Sequence, residues 1–120
     1  MILRIACAQI NATLGDIPGN QGKILSYLAA ARKAKADIVL FPELAISGYP
    51  PEDLLLKPHF VKACEDALYS IAEQVEGLIA VIGTPIMDED VFNAAAVCAE
   101  GSVESVNDCV MAALSERLGG

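Results

Sequence analysis

Glu43 is the residue whose surroundings in the chain best fit it for chemistry. It follows the apolar run Ile38-Val39-Leu40-Phe41 and then Pro42, which removes a ladder donor and ends a strand. A carboxylate at the tip of a buried strand is partly withdrawn from water, and such a group can serve as a general base. The same position also fits a carboxylate that caps nearby backbone donors or faces solvent. The four cysteines, Cys7, Cys64, Cys98 and Cys109, form no CxxC pair, so neither a zinc site nor a disulfide framework is expected. Cys7 and Cys98 fall inside apolar strands and read as core. Cys109 stands near a helix start without a recognisable partner. His59, the one histidine, has no second ligand and reads as a surface group. Asp88-Glu89-Asp90 reads as a solvated turn, and no GxGxxG or Walker loop is present.

The elements that must hold Glu43 follow from periodicity. Ile2–Ile10 reads as a buried strand, Asn11–Gly22 as a loop, and Asn20 as the cap of a helix to about Lys35 with Ile24, Leu28 and Ala31 on one face. Asp37–Phe41 is a second strand, expected to be covered on both sides. Glu43–Lys57 is a connection of 15 residues with Gly48, Pro50 and Pro51, long enough to be functional. Pro58 opens a second helix to about Glu76, with Val61, Cys64, Leu68, Ile71 and Val75 as its apolar stripe. Leu78–Gly83 is a third strand. Val91–Ala99 and Ser102–Val106 form a hairpin through Glu100-Gly101, and a last helix spans about Asp108 to Leu118. The order β-α-β-α-β-β-β-α predicts an α/β fold with right-handed crossovers and a parallel sheet. Ligands in such sheets sit beyond the carboxyl ends of strands, where Glu43 lies.

Composition narrows the function classes. The 120 residues are 54% hydrophobic and 20% charged, which excludes a disordered acidic tail. A net charge of −8 argues against a broad nucleic-acid-binding surface. No apolar run reaches the length of a membrane span, and no basic head with an apolar core opens the chain; the cysteine pattern makes a reduced, cytoplasmic protein the expectation. The charge is uneven: residues 63–120 carry eleven acidic groups and one basic group, Arg117.

The segment Phe41-Pro42-Glu43-Leu44-Ala45-Ile46-Ser47-Gly48-Tyr49-Pro50-Pro51-Glu52-Asp53-Leu54-Leu55-Leu56 resembles the nitrilase, or carbon–nitrogen hydrolase, superfamily. Three further stretches agree: Ile5-Ala6-Cys7-Ala8-Gln9-Ile10-Asn11 with Gly15-Asp16, Ala36–Phe41, and Phe92-Asn93-Ala94-Ala95-Ala96-Val97. The Gly-Tyr-Pro-Pro-Glu-Asp-Leu-Leu run is similar to the glutaminase branch attached to glutamine-dependent NAD+ synthetases. The resemblance covers about residues 2–105. It implies an αββα sandwich, residues 1–106 forming the N-terminal part of the hydrolase domain and residues 107–120 a helix diverging from the family.

The resemblance also implies a mechanism: a Glu base, a Lys that stabilises the charged intermediate, and a Cys that attacks an amide carbonyl. Glu43 matches the base, and Tyr49 matches a residue lining the glutamine pocket. Glu52 and Asp53 match loop positions of structural role. No cofactor and no metal is implied for this chain; ATP and Mg would belong to a separate synthetase domain that uses the released ammonia. The implied partners are glutamine, that synthetase domain or further copies of the chain, with no nucleic acid and no membrane. Two members of the catalytic set are not found. The Lys is implied just after the hairpin, where Val106-Asn107-Asp108-Cys109 stands, and no lysine follows Lys62. Arg117 is the one later cation, and a guanidinium does not replace an ammonium. The Cys is implied at the end of a later strand. Cys64-Glu65-Asp66 copies the nucleophile's tripeptide, but Cys64 lies mid-helix on the apolar stripe, where a thiol is inert. The resulting expectation is a truncated, inactive glutaminase domain. The competing readings are a non-catalytic interaction subunit, another nitrilase-family amidase, and a flavodoxin-like domain, the last opposed by the absence of a phosphate-cradling loop after Ile10.

Overall fold

A computed structural model describes residues 2–48, 54, 57–88 and 90–107. Its elements run β1 (Ile5–Cys7), α1 (Ile17–Lys33), β2 (Ile38–Leu40), α2 (Pro58–Ala72), β3 (Ile79–Asp88), β4 (Asp90–Ala99) and β5 (Ser102–Asn107). This is the expected α/β order as far as β5. The expected helix over 108–118 lies outside the described residues.

The five strands form one sheet in the order β1-β2-β3-β4-β5. β1, β2 and β3 are parallel; β4 and β5 add antiparallel hairpins. Sequential order matters. Two right-handed crossovers that step in the same direction place both helices on one face of the sheet. Among the described residues the strand order does not reverse, so these strands form no ligand crevice of the flavodoxin kind. The result is one helix layer on one sheet, half of an αββα arrangement.

The core lies between sheet and helices. Ile24, Leu28 and Ala31 of α1 and Val61, Cys64, Leu68 and Ile71 of α2 are buried, packed with Val39, Ala80, Ile82, Ala96 and Cys98 of the sheet. Each fully buried Leu or Ile contributes roughly 1.5–3 kcal/mol. The opposite face is covered in part. Val81 and Ala95 are buried in a small cluster with Leu40 and Val97, while Ile5 is 53% and Ile79 40% exposed.

Several expectations are corrected. β1 is only three residues long and is an exposed edge, not a buried strand, and Cys7 is exposed, not core. β2 is fully covered only on the helix side; Ile38 and Leu40 are half-buried. Both differences arise because, among the described residues, no second layer covers the far face. α1 starts three residues before Asn20, with Asp16 as its cap: the Asp16 carboxylate accepts from the Gly19 amide at 3.1 Å. α2 ends at Ala72, although Val75 remains buried beyond it. β3 runs on to Asp88 through Pro85. Proline is tolerated there because β2 pairs with β3 only as far as Val81, leaving that side of Pro85 without a strand partner. The Glu100-Gly101 turn has φ of 49° and 80°, the double positive value of a tight hairpin.

Candidate active site

Glu43 opens a compact turn at the carboxyl end of β2, and Gly83 sets its position. A Cβ on Gly83 would lie 2.6 Å from the Leu44 nitrogen, 2.8 Å from the Pro42 oxygen and 2.9 Å from the Glu43 Cα. The turn therefore rests directly on the β3 backbone, an approach that only glycine allows. Leu44 has a φ of 54° and is buried, a sparsely populated conformation for a branched-chain residue. Its carbonyl accepts from the Gly48 amide at 2.8 Å, and the Phe41 amide donates to the Val81 carbonyl at 2.9 Å. Strain of this kind persists only where surrounding contacts over-determine the backbone.

Asn20 supplies a further restraint. Its side chain is wholly buried, donates to the carbonyls of Thr13 and Ile46 at 2.8 Å each, and accepts from the Thr13 amide at 2.7 Å. The Gly15 amide donates to the Ser47 carbonyl at 2.9 Å. Gly48, with a φ of 81°, packs so closely that a Cβ would lie 2.6 Å from the Leu14 Cα. Thus the loop after β1 and the turn after β2 are fastened together, and Glu43 projects from a rigid base.

The Glu43 side chain is exposed, and its Oε1 accepts a hydrogen bond from the Asn93 Nδ2 at 3.0 Å. Asn93 lies on β4 opposite Pro85. By strand alternation it shares a face with Ala95 and Val97, the face on which neither α1 nor α2 packs. The carboxylate therefore stands over the uncovered face, at a strand's carboxyl end, with one oxygen held.

Residues 4–104 match the carbon-nitrogen hydrolase family. The chain belongs to that family. Among curated relatives of this hydrolase-family chain, a glutamine-dependent NAD(+) synthetase of Xanthomonas campestris is 53% identical over 105 residues, which are 86% of this chain and 19% of that protein. A glutamine-dependent NAD(+) synthetase of Aquifex aeolicus is 44% identical over 85% of this chain and 18% of its own length. The chain thus spans about a fifth of the length of these relatives. Among solved structures, a glutamine-dependent NAD(+) synthetase from Cytophaga hutchinsonii superimposes with a TM-score of 0.83 at 28% identity, over 87% of this chain and 18% of that one. An amidase from Nesterenkonia sp. superimposes with a TM-score of 0.75 at 28% identity, over 87% and 41%.

The hydrolase fold accounts for the remaining sequence candidates unevenly. Tyr49, Glu52 and Asp53 lie outside the described residues, as do Cys109, Arg117 and the side chains of Asp88-Glu89-Asp90. His59 is exposed at the start of α2. Among the described residues no group of three His, Cys, Asp or Glu side chains is gathered to hold a metal ion. Cys64 is buried, and its thiol is pushed up from 9.0 to about 12. Loss of hydration is the main cause, the Glu65 charge adds to it, and a hydrogen bond with the Thr84 side chain opposes it. Such a thiol is no nucleophile at neutral pH. The neighbouring Glu65 is a structural residue. Its carboxylate accepts from the Met87 amide at 3.1 Å, on the side of β3 that no strand pairs.

Asn93, Gly83 and Asn20 are the site residues that sequence reasoning missed. Their signals are nonetheless present. Gly83 interrupts an apolar strand, which marks a close backbone approach. Asn93 puts an amide on a strand face that alternation otherwise fills with Val and Ala. Asn20 reads as a helix cap because a short polar residue stands just before the apolar stripe, while the true cap, Asp16, precedes Pro18.

Proposed function

We propose that this chain is the N-terminal part of the glutamine-hydrolysing domain of an NAD+ synthetase, with Glu43 as its general base. The observation that carries the reading is the placement of Glu43 at a strand's carboxyl end, on a turn that only Gly83 permits, with its carboxylate bonded to Asn93. The 53% identity to a glutamine-dependent NAD(+) synthetase supports this branch over other amidases. In the reaction, Glu43 takes the proton of a cysteine thiol, and the thiolate attacks the side-chain amide carbon of glutamine. A lysine ammonium holds the resulting oxyanion. The proton returns to the departing nitrogen, which leaves as ammonia, and water then hydrolyses the thioester to glutamate. Cysteine as the family's nucleophile is supported by a form of the Nesterenkonia amidase with acrylamide added at its active-site cysteine.

In this reading Tyr49 lines the glutamine pocket, and the lysine and nucleophilic cysteine come from polypeptide beyond the matched region. ATP and Mg act on a separate synthetase domain that receives the ammonia to amidate deamido-NAD+, in the cytoplasm. No helix of the described residues is long and apolar enough to cross a membrane. By itself the chain holds the base but not the lysine or the nucleophile, so we expect glutamine hydrolysis no faster than that of its Glu43→Gln variant.

A chimera tests the reading. The matched segment of this chain replaces its counterpart in the Xanthomonas campestris synthetase, and glutamine hydrolysis is followed by ammonia release. The expected result is an active chimera that loses about 10²–10⁴-fold in kcat on Glu43→Gln. A folded chimera that ignores glutamine but hydrolyses another amide moves the chain to a different amidase. A Glu43→Gln chimera with full activity removes Glu43 from the mechanism.

A further inference from the structure

The geometry assigns Asn93 as the residue that positions Glu43 for proton transfer, an inference that rests on Glu43 being the base. A general base works only when the accepting oxygen is aimed at the proton it takes. A glutamate has three rotatable side-chain bonds, and an exposed one samples several rotamers. The backbone at Glu43 is pinned by Gly83, Leu44 and Asn20, but these contacts fix the Cα and not the carboxylate. Asn93 supplies the missing restraint. Its Nδ2 lies 3.0 Å from the Glu43 Oε1, across 50 residues of sequence.

The chemistry of the pair is specific. An amide N–H donates to the carboxylate without offering a proton that can be lost, so Asn93 holds Oε1 without passing a proton to it. The other oxygen, Oε2, is then the one presented to an incoming thiol. The placement of Asn93 is itself rigid. It sits in the register Pro85↔Asn93 within the unbroken β3–β4 ladder, and the next residues, Ala94 and Ala95, are buried. One strand of the hairpin thus carries the donor, while the other, through Gly83, carries the turn that bears the acceptor. Any shift of β4 against β3 would move donor and acceptor apart, so the hairpin acts as a ruler for the site.

A purely structural Asn93 and a positioning Asn93 predict opposite rankings of two substitutions. Asn93→Asp is nearly isosteric but removes the donor and sets a carboxylate against Glu43. Asn93→Ala removes the donor alone. In the same chimera, we expect kcat for glutamine to fall about 10- to 100-fold in Asn93→Ala and further in Asn93→Asp, with KM changed less than about twofold. If the Glu43→Gln chimera is inactive while both Asn93 variants keep full kcat, the positioning role is overturned and the base assignment stands. If Glu43→Gln is itself fully active, the base assignment fails, and Asn93 has nothing to position.

A second measurement applies to this chain without any partner. In protein labelled with ¹⁵N at asparagine, the Asn93 side-chain amide gives two proton signals, of which the one donating to Glu43 lies downfield. Glu43→Gln should move that signal and leave those of Asn20 in place. An Asn93 amide unmoved by Glu43→Gln overturns the inference, whatever the folding of the chimeras.

Discussion

The two faces of the sheet are built from the same strands and similar residues, yet they meet different fates. On one face Val39, Ala80, Ile82, Ala96 and Cys98 are sealed beneath α1 and α2. On the other, Val81 and Ala95 are buried and Leu40 and Val97 partly so, but Ile5 and Ile79 are 53% and 40% exposed. Strand alternation alone supplies both faces with apolar side chains. The handedness of the crossovers then decides which face the chain covers with its own helices. The candidate site lies on the uncovered side. Glu43 and Asn93 meet there, so the groups with the most to offer chemically occupy the face that the described residues leave open.

The sharpest way to break the comparison is to cut into the covered face. Leu68 is wholly buried between α2 and the sheet. Leu68→Ala removes the branched end of the side chain and leaves a cavity in a close-packed layer. Urea denaturation should show a loss of about 3–4 kcal/mol. A loss below about 1 kcal/mol would mean that the helix layer is not tightly packed on the sheet.

The cysteines sharpen it further, because they divide between the faces. Cys64 and Cys98 belong to the covered core; Cys7 is exposed on β1. Burial pushes the Cys98 thiol up to about 11, and Cys64 to about 12. Both folded values lie above the ordinary 9.0, so between pH 9 and 11 the unfolded chain gives up protons that the folded chain keeps. The unfolded state then binds fewer protons, and stability falls as pH rises. The contribution is fully present below pH 9 and declines from there up to the folded value of each thiol. Urea midpoints at pH 8 and 10 should differ more in the native sequence than in a Cys64→Ala/Cys98→Ala variant. Equal slopes would place these thiols in water. At pH 8 a thiol reagent mapped by mass spectrometry should label Cys7 and spare Cys64 and Cys98.

How much of this was legible in the sequence depends on whether the deciding contact is local. The helix stripe Val61-Cys64-Leu68-Ile71-Val75 was plain, because a period near 3.6 is written in consecutive residues. The Glu100-Gly101 hairpin was plain for the same reason. The exposure of β1 was not, because a run such as Ile5-Ala6-Cys7 carries no mark that distinguishes an edge strand from a central one; the missing partner is a tertiary fact. Glu43 stood out by its position after Phe41-Pro42 and by the resemblance of its segment. Its anchor, Asn93, did not, since 50 residues separate donor and acceptor and nothing in either segment names the other. Asn20 illustrates the limit from the opposite side. A short polar residue before an apolar stripe fits a cap, yet here the side chain turns inward to fasten two loops.

The smallest expected effect tests the uncovered face directly. Ile5 and Ile79 flank Ile38 across the sheet, each in register with it, and together they form an exposed apolar strip in the parallel part. Were this face closed by elements of the folded monomer, replacing both residues by Ser would cost several kcal/mol, as burial of two isoleucines would demand. Since both are exposed, at 53% and 40%, Ile5→Ser/Ile79→Ser should change unfolding free energy by less than about 1 kcal/mol. What should change is association. An apolar face of this kind drives chains together, so sedimentation velocity should show self-association in the native sequence and less of it in the double variant. The two readouts separate two origins of the same surface. A stable, less associating variant marks the face as an interface waiting for more polypeptide, whereas a destabilised one would show that residues of this chain already close over it.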